Sequence, residues 1–161
     1  MDKAFQEDLW KQFGAGLDML AKSIQTCPDS LWQSDPRFSQ MAYHTLFFLD
    51  YYLTTEPVGF SQPDQFSYSE FDEDPELVIF SKSELLNYLG ACRSKAKDFI
   101  FGLDAIELKK RWINESQTMD FSRLEILLYN LRHVQHHVGQ LNLVLRETCQ
   151  NAPDWVYRAE V

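Results

Sequence analysis

A chain of 161 residues with 45% hydrophobic and 24% charged side chains has the composition of one ordinary folded domain, large enough to bury a core without disulfide or metal staples. A formal charge of −9, with its densest basic stretch only the short Ile106–Arg111, excludes a basic nucleic-acid footprint and a polybasic membrane anchor. Three scattered cysteines (Cys27, Cys92 and Cys149), no CxxC, a charged N-terminal decapeptide and no apolar run near ~18 residues predict a cytoplasmic protein with reduced thiols and no membrane span.

Residues 3–25 place Phe5, Leu9, Phe13, Leu17 (or Gly16), Leu20 and Ile24 three or four apart, which predicts a first helix. Cys27-Pro28-Asp29 closes it, because proline cannot continue a helix. A connector over 30–38 leads to Ser39, read as the N-cap of a second helix over about 40–53. Residues 54–80 are irregular. Pro57, Pro63, Pro75, Gly59 and the acidic residues from Asp64 onward oppose a long helix, whereas Phe60, Phe66, Tyr68 and Phe71 predict that the segment packs on the body. A crossover strap is the expectation for it, with a lid over a site as the alternative.

The next two helix starts share one pattern. Ser81-Lys82-Ser83-Glu84 and Ser122-Arg123-Leu124-Glu125 both fit the capping box, in which a serine oxygen accepts an orphan backbone N–H and the glutamate reaches back. Phe80 with Leu85, and Phe121 with Ile126, stand at staple positions. These signals predict a third helix over about 82–101 and a fourth over about 123–148, with one short helix and a turn in 103–120. The sum is an all-α four-helix bundle, a single domain over 1–161, with a long connection between helices 2 and 3.

Three of the four histidines crowd into the fourth helix, in "RHVQHHVGQ". At about 100° per residue, Ile126, Asn130, His133, His137, Gln140 and Val144 form one line, apolar at both ends and polar in the middle. A broad apolar stripe, Leu124, Leu127, Leu128, Leu131, Val134, Val138, Leu141 and Leu145, runs beside it. His136 falls on the far side with Glu125, Arg132 and Glu147, although spacing alone leaves an i,i+3 pairing of His133 with His136 open. On the second helix Met41, His44, Phe48 and Tyr51 set His44 in an apolar seam. A lone histidine there is usually a hydrogen-bonded core residue, but beside an HxxxH pair it completes a set of three imidazoles suited to a divalent transition metal. Three protein ligands leave the fourth position open, as in catalytic zinc sites. The di-iron pattern fails because no histidine follows a glutamate by three residues, and the zincin pattern fails because Val134 stands where its glutamate belongs. Haem ligation by opposed histidines is a remaining alternative.

The segments "RFSQMAYHTLFFLDYYL" and "NLRHVQHHVGQLNLVLR" resemble the DinB/YfiT-like family of four-helix-bundle metalloenzymes, whose signature is H-x-x-H-H-R-G-Q. The resemblance covers most of the chain. It implies that His44, His133 and His137 are the metal ligands, with Zn²⁺ the first choice and Ni²⁺ the second, and that His136 is not one. It further implies a small-molecule substrate, such as a low-molecular-weight thiol in an S-transfer reaction, and a homodimer. Val138 stands where the family has arginine, which bears on substrate more than on the metal.

Two functions follow as expectations: a metal-dependent thiol S-transferase or hydrolase, and a non-catalytic metal-binding or dimerising stress-related bundle with a closed site. Asp50, Tyr51 and Gln140 are the candidate hydrogen-bond partners of the ligating rings.

Overall fold

The computed structural model describes residues 2–73 and 78–161. The chain is mostly helical, with five α-helices and one small two-stranded sheet among the described residues. Asp2 starts α1 (Lys3–Thr26) by accepting the Ala4 N–H, and Cys27 ends it ahead of Pro28. Trp10, Phe13, Leu17, Leu20 and Ile24 along its length are all buried, whereas Phe5 in the first turn is 43% exposed and lies outside the core.

The expected connector holds a helix of its own, α2 (Asp29–Ser34). It folds because Trp32 has somewhere to go: the ring is buried and its Nε1–H donates to the Phe80 carbonyl at 3.0 Å. The next helix, α3 (Pro36–Leu53), begins four residues earlier than the Ser39 cap would allow. Asp35 is the N-cap, accepting the Arg37 N–H, and Pro36 sits at the first helical position where its missing N–H costs nothing. Ser39 is instead fully buried inside α3, with its hydroxyl on the Phe80 carbonyl.

Helix α4 (Lys82–Gly102) opens with the complete Ser81/Glu84 capping box. After it come a single 3₁₀ turn (Glu107–Lys109) and an antiparallel hairpin, β1 (Arg111–Ile113) with β2 (Asp120–Ser122), where a short helix and a turn were expected. The hairpin exists to bury Trp112. Its ring is fully enclosed by Tyr51, Tyr52 and Ile126, and its Nε1–H donates to the Thr54 carbonyl at 2.8 Å. The last helix is α5 (Arg123–Cys149), capped by the Ser122 hydroxyl on the Glu125 N–H and ended by Gln150 in the left-handed region.

Helices α1 and α3 each pack against both α4 and α5. The Trp10, Leu20, Tyr43, Phe47, Leu85, Ile100, Val134 and Leu141 side chains meet in the space between them. The apolar stripe of α5 is narrower than its spacing suggests, because Leu128 is 46% exposed. No helix among the described residues is long and apolar enough to cross a membrane.

The described residues of the connection, 54–73 and 78–80, lie on the body, burying Phe66 and Tyr68 and resting Phe71 against Phe47, Phe48 and Tyr51. Phe71 remains half exposed. Asp74, Pro75 and Glu76, counted above among the residues opposing a helix, lie outside the described residues.

The C-terminal tail folds back along α1. Ala159 N–H donates to the Lys11 carbonyl and Trp10 Nε1–H to the Glu160 carbonyl. The tail fits because Gly14 has no side chain: a Cβ there would stand 2.7 Å from the Ala159 Cβ. In an open helix Gly→Ala adds about 1 kcal/mol of stability. Here Gly14→Ala is expected to destabilise by about 1–3 kcal/mol through overpacking, measured by urea denaturation. A stabilised variant would show that the tail does not hold this seat.

Candidate metal centre

His44 projects from the middle of α3, and His133 and His137 project from one face of α5, one helical turn apart. The packing of these two helices brings one ring nitrogen of each histidine within 4.8 Å of the other two. His44 Nε2 and His133 Nε2 are already 3.4 Å apart. Tetrahedral ligation with bonds of ~2.0–2.1 Å places ligand nitrogens about 3.4 Å apart, so the His44–His133 pair is already at that spacing and the longest pair would close by up to roughly 1.4 Å to hold a metal.

Hydrogen bonds at the other ring nitrogens orient two of the three histidines. His44 Nδ1–H donates to Glu70 Oε2 at 2.9 Å, and His137 Nδ1–H donates to Gln140 Oε1 at 2.7 Å. Carboxylate and amide oxygens only accept here, so the proton sits on Nδ1 in both rings and each Nε2 presents its lone pair inward. Carboxylate or amide contacts of this kind fix the tautomer and increase the basicity of a ligating imidazole.

His133 differs. Its Nδ1 is buried and has no hydrogen-bond partner among the described residues. With a neutral His44 protonated on Nδ1, the 3.4 Å contact places a hydrogen on His133 Nε2. Ligation through that nitrogen needs the hydrogen on Nδ1 instead.

Electrostatics favour the neutral, ligating form of the α5 pair. Burial pushes the His133 imidazolium down to about 3, with the rings of His137, His44 and His136 adding to the effect. Burial also lowers His137, partly offset by the bond to Gln140. The surroundings are aromatic: Phe48 lies 4.8 Å from the His44 ring centroid and 5.6 Å from that of His133, and Tyr52 lies 5.8 Å from His133 edge-on. The polar trio is thus set in an apolar wall. On its solvent side a cleft of about 340 Å³, lined by Tyr129, Arg132, His133 and His136, reaches His133.

The remaining residues singled out from the sequence divide clearly. His136 is exposed and stands outside the three-histidine cluster. Gln140 binds a ring, as expected. Asp50 does not: its carboxylate takes hydrogen bonds from Lys95 Nζ and the Tyr88 hydroxyl, tying α3 to α4 away from the histidines. Tyr51 packs on Trp112 and Phe60 instead. Asn130 pins α5 to α3 through the Leu49 carbonyl at 3.0 Å. The three cysteines are free thiols, and burial pushes Cys27 up to about 11 and Cys92 well above its ordinary value, so neither is an activated nucleophile.

Glu70 was not singled out from the sequence. It lies 26 residues after His44 in the irregular segment, one acidic residue among several, with no period to mark it. Its only sequence signal is the aromatic pair around it, since Tyr68 is buried and Phe71 rests on Phe48, which together hold residue 70 over α3.

No protein-family model and no curated protein matches the chain.

Proposed function

We propose that His44, His133 and His137 hold one divalent transition metal, Zn²⁺ in preference to Ni²⁺, and that the chain is a metal-dependent enzyme of the thiol S-transferase or hydrolase type. The observation that carries this reading is the convergence of three imidazole nitrogens within 4.8 Å from two different helices. The bonds of His44 to Glu70 and of His137 to Gln140 hold the Nδ1 protons of these two rings, which supports ligation through Nε2. An all-imidazole donor set suits zinc and nickel rather than magnesium or calcium.

The pairwise packing of α1 and α3 on α4 and α5 supports a four-helix bundle of the DinB/YfiT-like kind. Within it the metal ligands come from α3 and α5, and the long connection supplies Glu70.

A divalent ion with three protein ligands supplies Lewis acidity, lowering the pKa of a thiol or water nucleophile toward neutrality. The chain's own residues do the rest. Glu70 and Gln140 hold the His44 and His137 protons on Nδ1 and thereby aim both rings. Phe48 and Tyr52 exclude water from the wall behind His133. The cleft leaves the solvent side of His133 reachable, which favours a site that admits a small-molecule substrate over a sealed structural one.

Metal analysis of protein purified without a histidine tag or chelator tests the reading, with one equivalent of zinc per chain expected. An anomalous-scattering map should place it among the three histidines. Failure to reach stoichiometric loading with zinc, nickel or cobalt would sink the proposal. Transfer of a low-molecular-weight thiol to an electrophile is the first activity to assay on loaded protein.

A further inference from the structure

The cleft beside the candidate metal centre carries a positive charge on a chain whose net charge is negative. The chain carries a net charge of −9, and most of its arginines are consumed by carboxylates. Arg37 pairs with Asp35, Arg93 with Asp18, Arg111 with Asp120 and Arg123 with Glu107. Arg132, like Arg146 and Arg158, has no carboxylate partner among the described residues. Its guanidinium lies over the Tyr129 ring, 5.7 Å from the centroid, which holds the side chain along the cleft without neutralising it. Tyr129, Arg132, His133 and His136 line this space of about 340 Å³, so it contains a fixed cation and no carboxylate.

The cation and the cluster also share one helix. Arg132 and His133 are consecutive residues of α5, and both border the cleft, so a small molecule lying in it touches the guanidinium and a candidate ligand at once. Guanidinium stays protonated at every physiological pH and offers a planar fork of N–H donors that matches a carboxylate. Tyr129 offers a ring face beside it.

We infer that Arg132 is the anion-docking residue of this site, and that the substrate is a small molecule carrying a carboxylate, held by Arg132 over Tyr129 with its reacting group at His133. The inference rests on the metal-centre reading for the place of the reacting group, but anion docking itself needs only the cleft.

The test uses 3-sulfanylpropanoate and its neutral isostere 3-sulfanylpropanamide, at one fixed ionic strength because an open cleft is screened by salt. In Co²⁺-loaded protein, thiolate-to-cobalt absorption reports binding. The wild type is expected to bind the carboxylate about tenfold more tightly than the amide. Arg132→Gln should bring the two to parity and Arg132→Lys should restore part of the difference, with the affinity for Co²⁺ alone unchanged in both. A second arm titrates metal-free protein with propanoate and propanamide and follows the Arg132 side-chain N–H signal by NMR.

Equal affinity of the wild type for acid and amide, or a preference that survives in Arg132→Gln, overturns the inference. Failure to bind Co²⁺, with the Arg132 signal still shifting for propanoate alone, overturns the metal-centre reading and leaves anion docking standing. Loss of Co²⁺ binding in Arg132→Gln would also count against it, since that outcome makes Arg132 a structural support of the cluster.

Discussion

Replacing His133 by alanine is expected to weaken zinc or cobalt binding by more than about a hundredfold, a larger loss than the ~10–100-fold that follows removal of a group merely supporting a ligand. His137→Ala and His44→Ala should do the same, because three donors are the minimum for a site that leaves a position open. His136→Ala should remain within about threefold of wild type. The contrast is sharp because His136 is adjacent to His137 in sequence yet exposed and outside the cluster. Competition titration against a chromophoric chelator measures all four, with circular dichroism confirming that each variant is folded. Equal losses from His136 and His133 would contradict the division of α5 into a ligating and a solvent face.

The second large effect belongs to Glu70. Glu70→Ala should lower metal affinity about 10–100-fold, the range for an outer carboxylate that orients a ligating imidazole. Glu70→Gln keeps an acceptor oxygen for His44 Nδ1–H but removes the charge, so its loss should be smaller. The unfolding midpoint of the metal-free protein should hardly move in either case, since the contacts of the Glu70 carboxylate are His44 and, at 3.5 Å, the Tyr68 hydroxyl. A Glu70→Ala protein that binds zinc as tightly as wild type would remove Glu70 from the site. One that unfolds readily without metal would recast it as a structural clamp.

The contrast between these two predictions shows what can be read along a chain. The face of His133 and His137 is a matter of spacing within one helix, and the Ser81 box is a contact between residues three apart; local geometry dictates both. The start of α3 was also written locally, as Asp35-Pro36, but Ser39 offered a competing cap. Tertiary packing decided between them by burying Ser39 under the Phe80 carbonyl. The hairpin left little trace because strands of three residues are too short to show alternation, and their pairing follows from the burial of Trp112. Leu128 looked like core because an eight-residue stripe is wider than the face α5 actually covers. Glu70 was beyond reach for a different reason: its partner is distant in sequence and its own segment has no period.

That Glu70 comes from the connecting segment, while the candidate ligands come from α3 and α5, has a thermodynamic corollary. In the proposed site the bond to His44 would couple two equilibria, ion uptake and the seating of Glu70 on the helices, and such coupling is reciprocal. Whatever factor the seated segment adds to the affinity for the ion, the ion returns to the seating. A substrate that displaced Phe71 from Phe48 would therefore loosen the ion's hold from a distance, and a resident ion would in turn resist that displacement. In the proposed site Glu70 would thus set part of the affinity for an ion without being one of its candidate ligands.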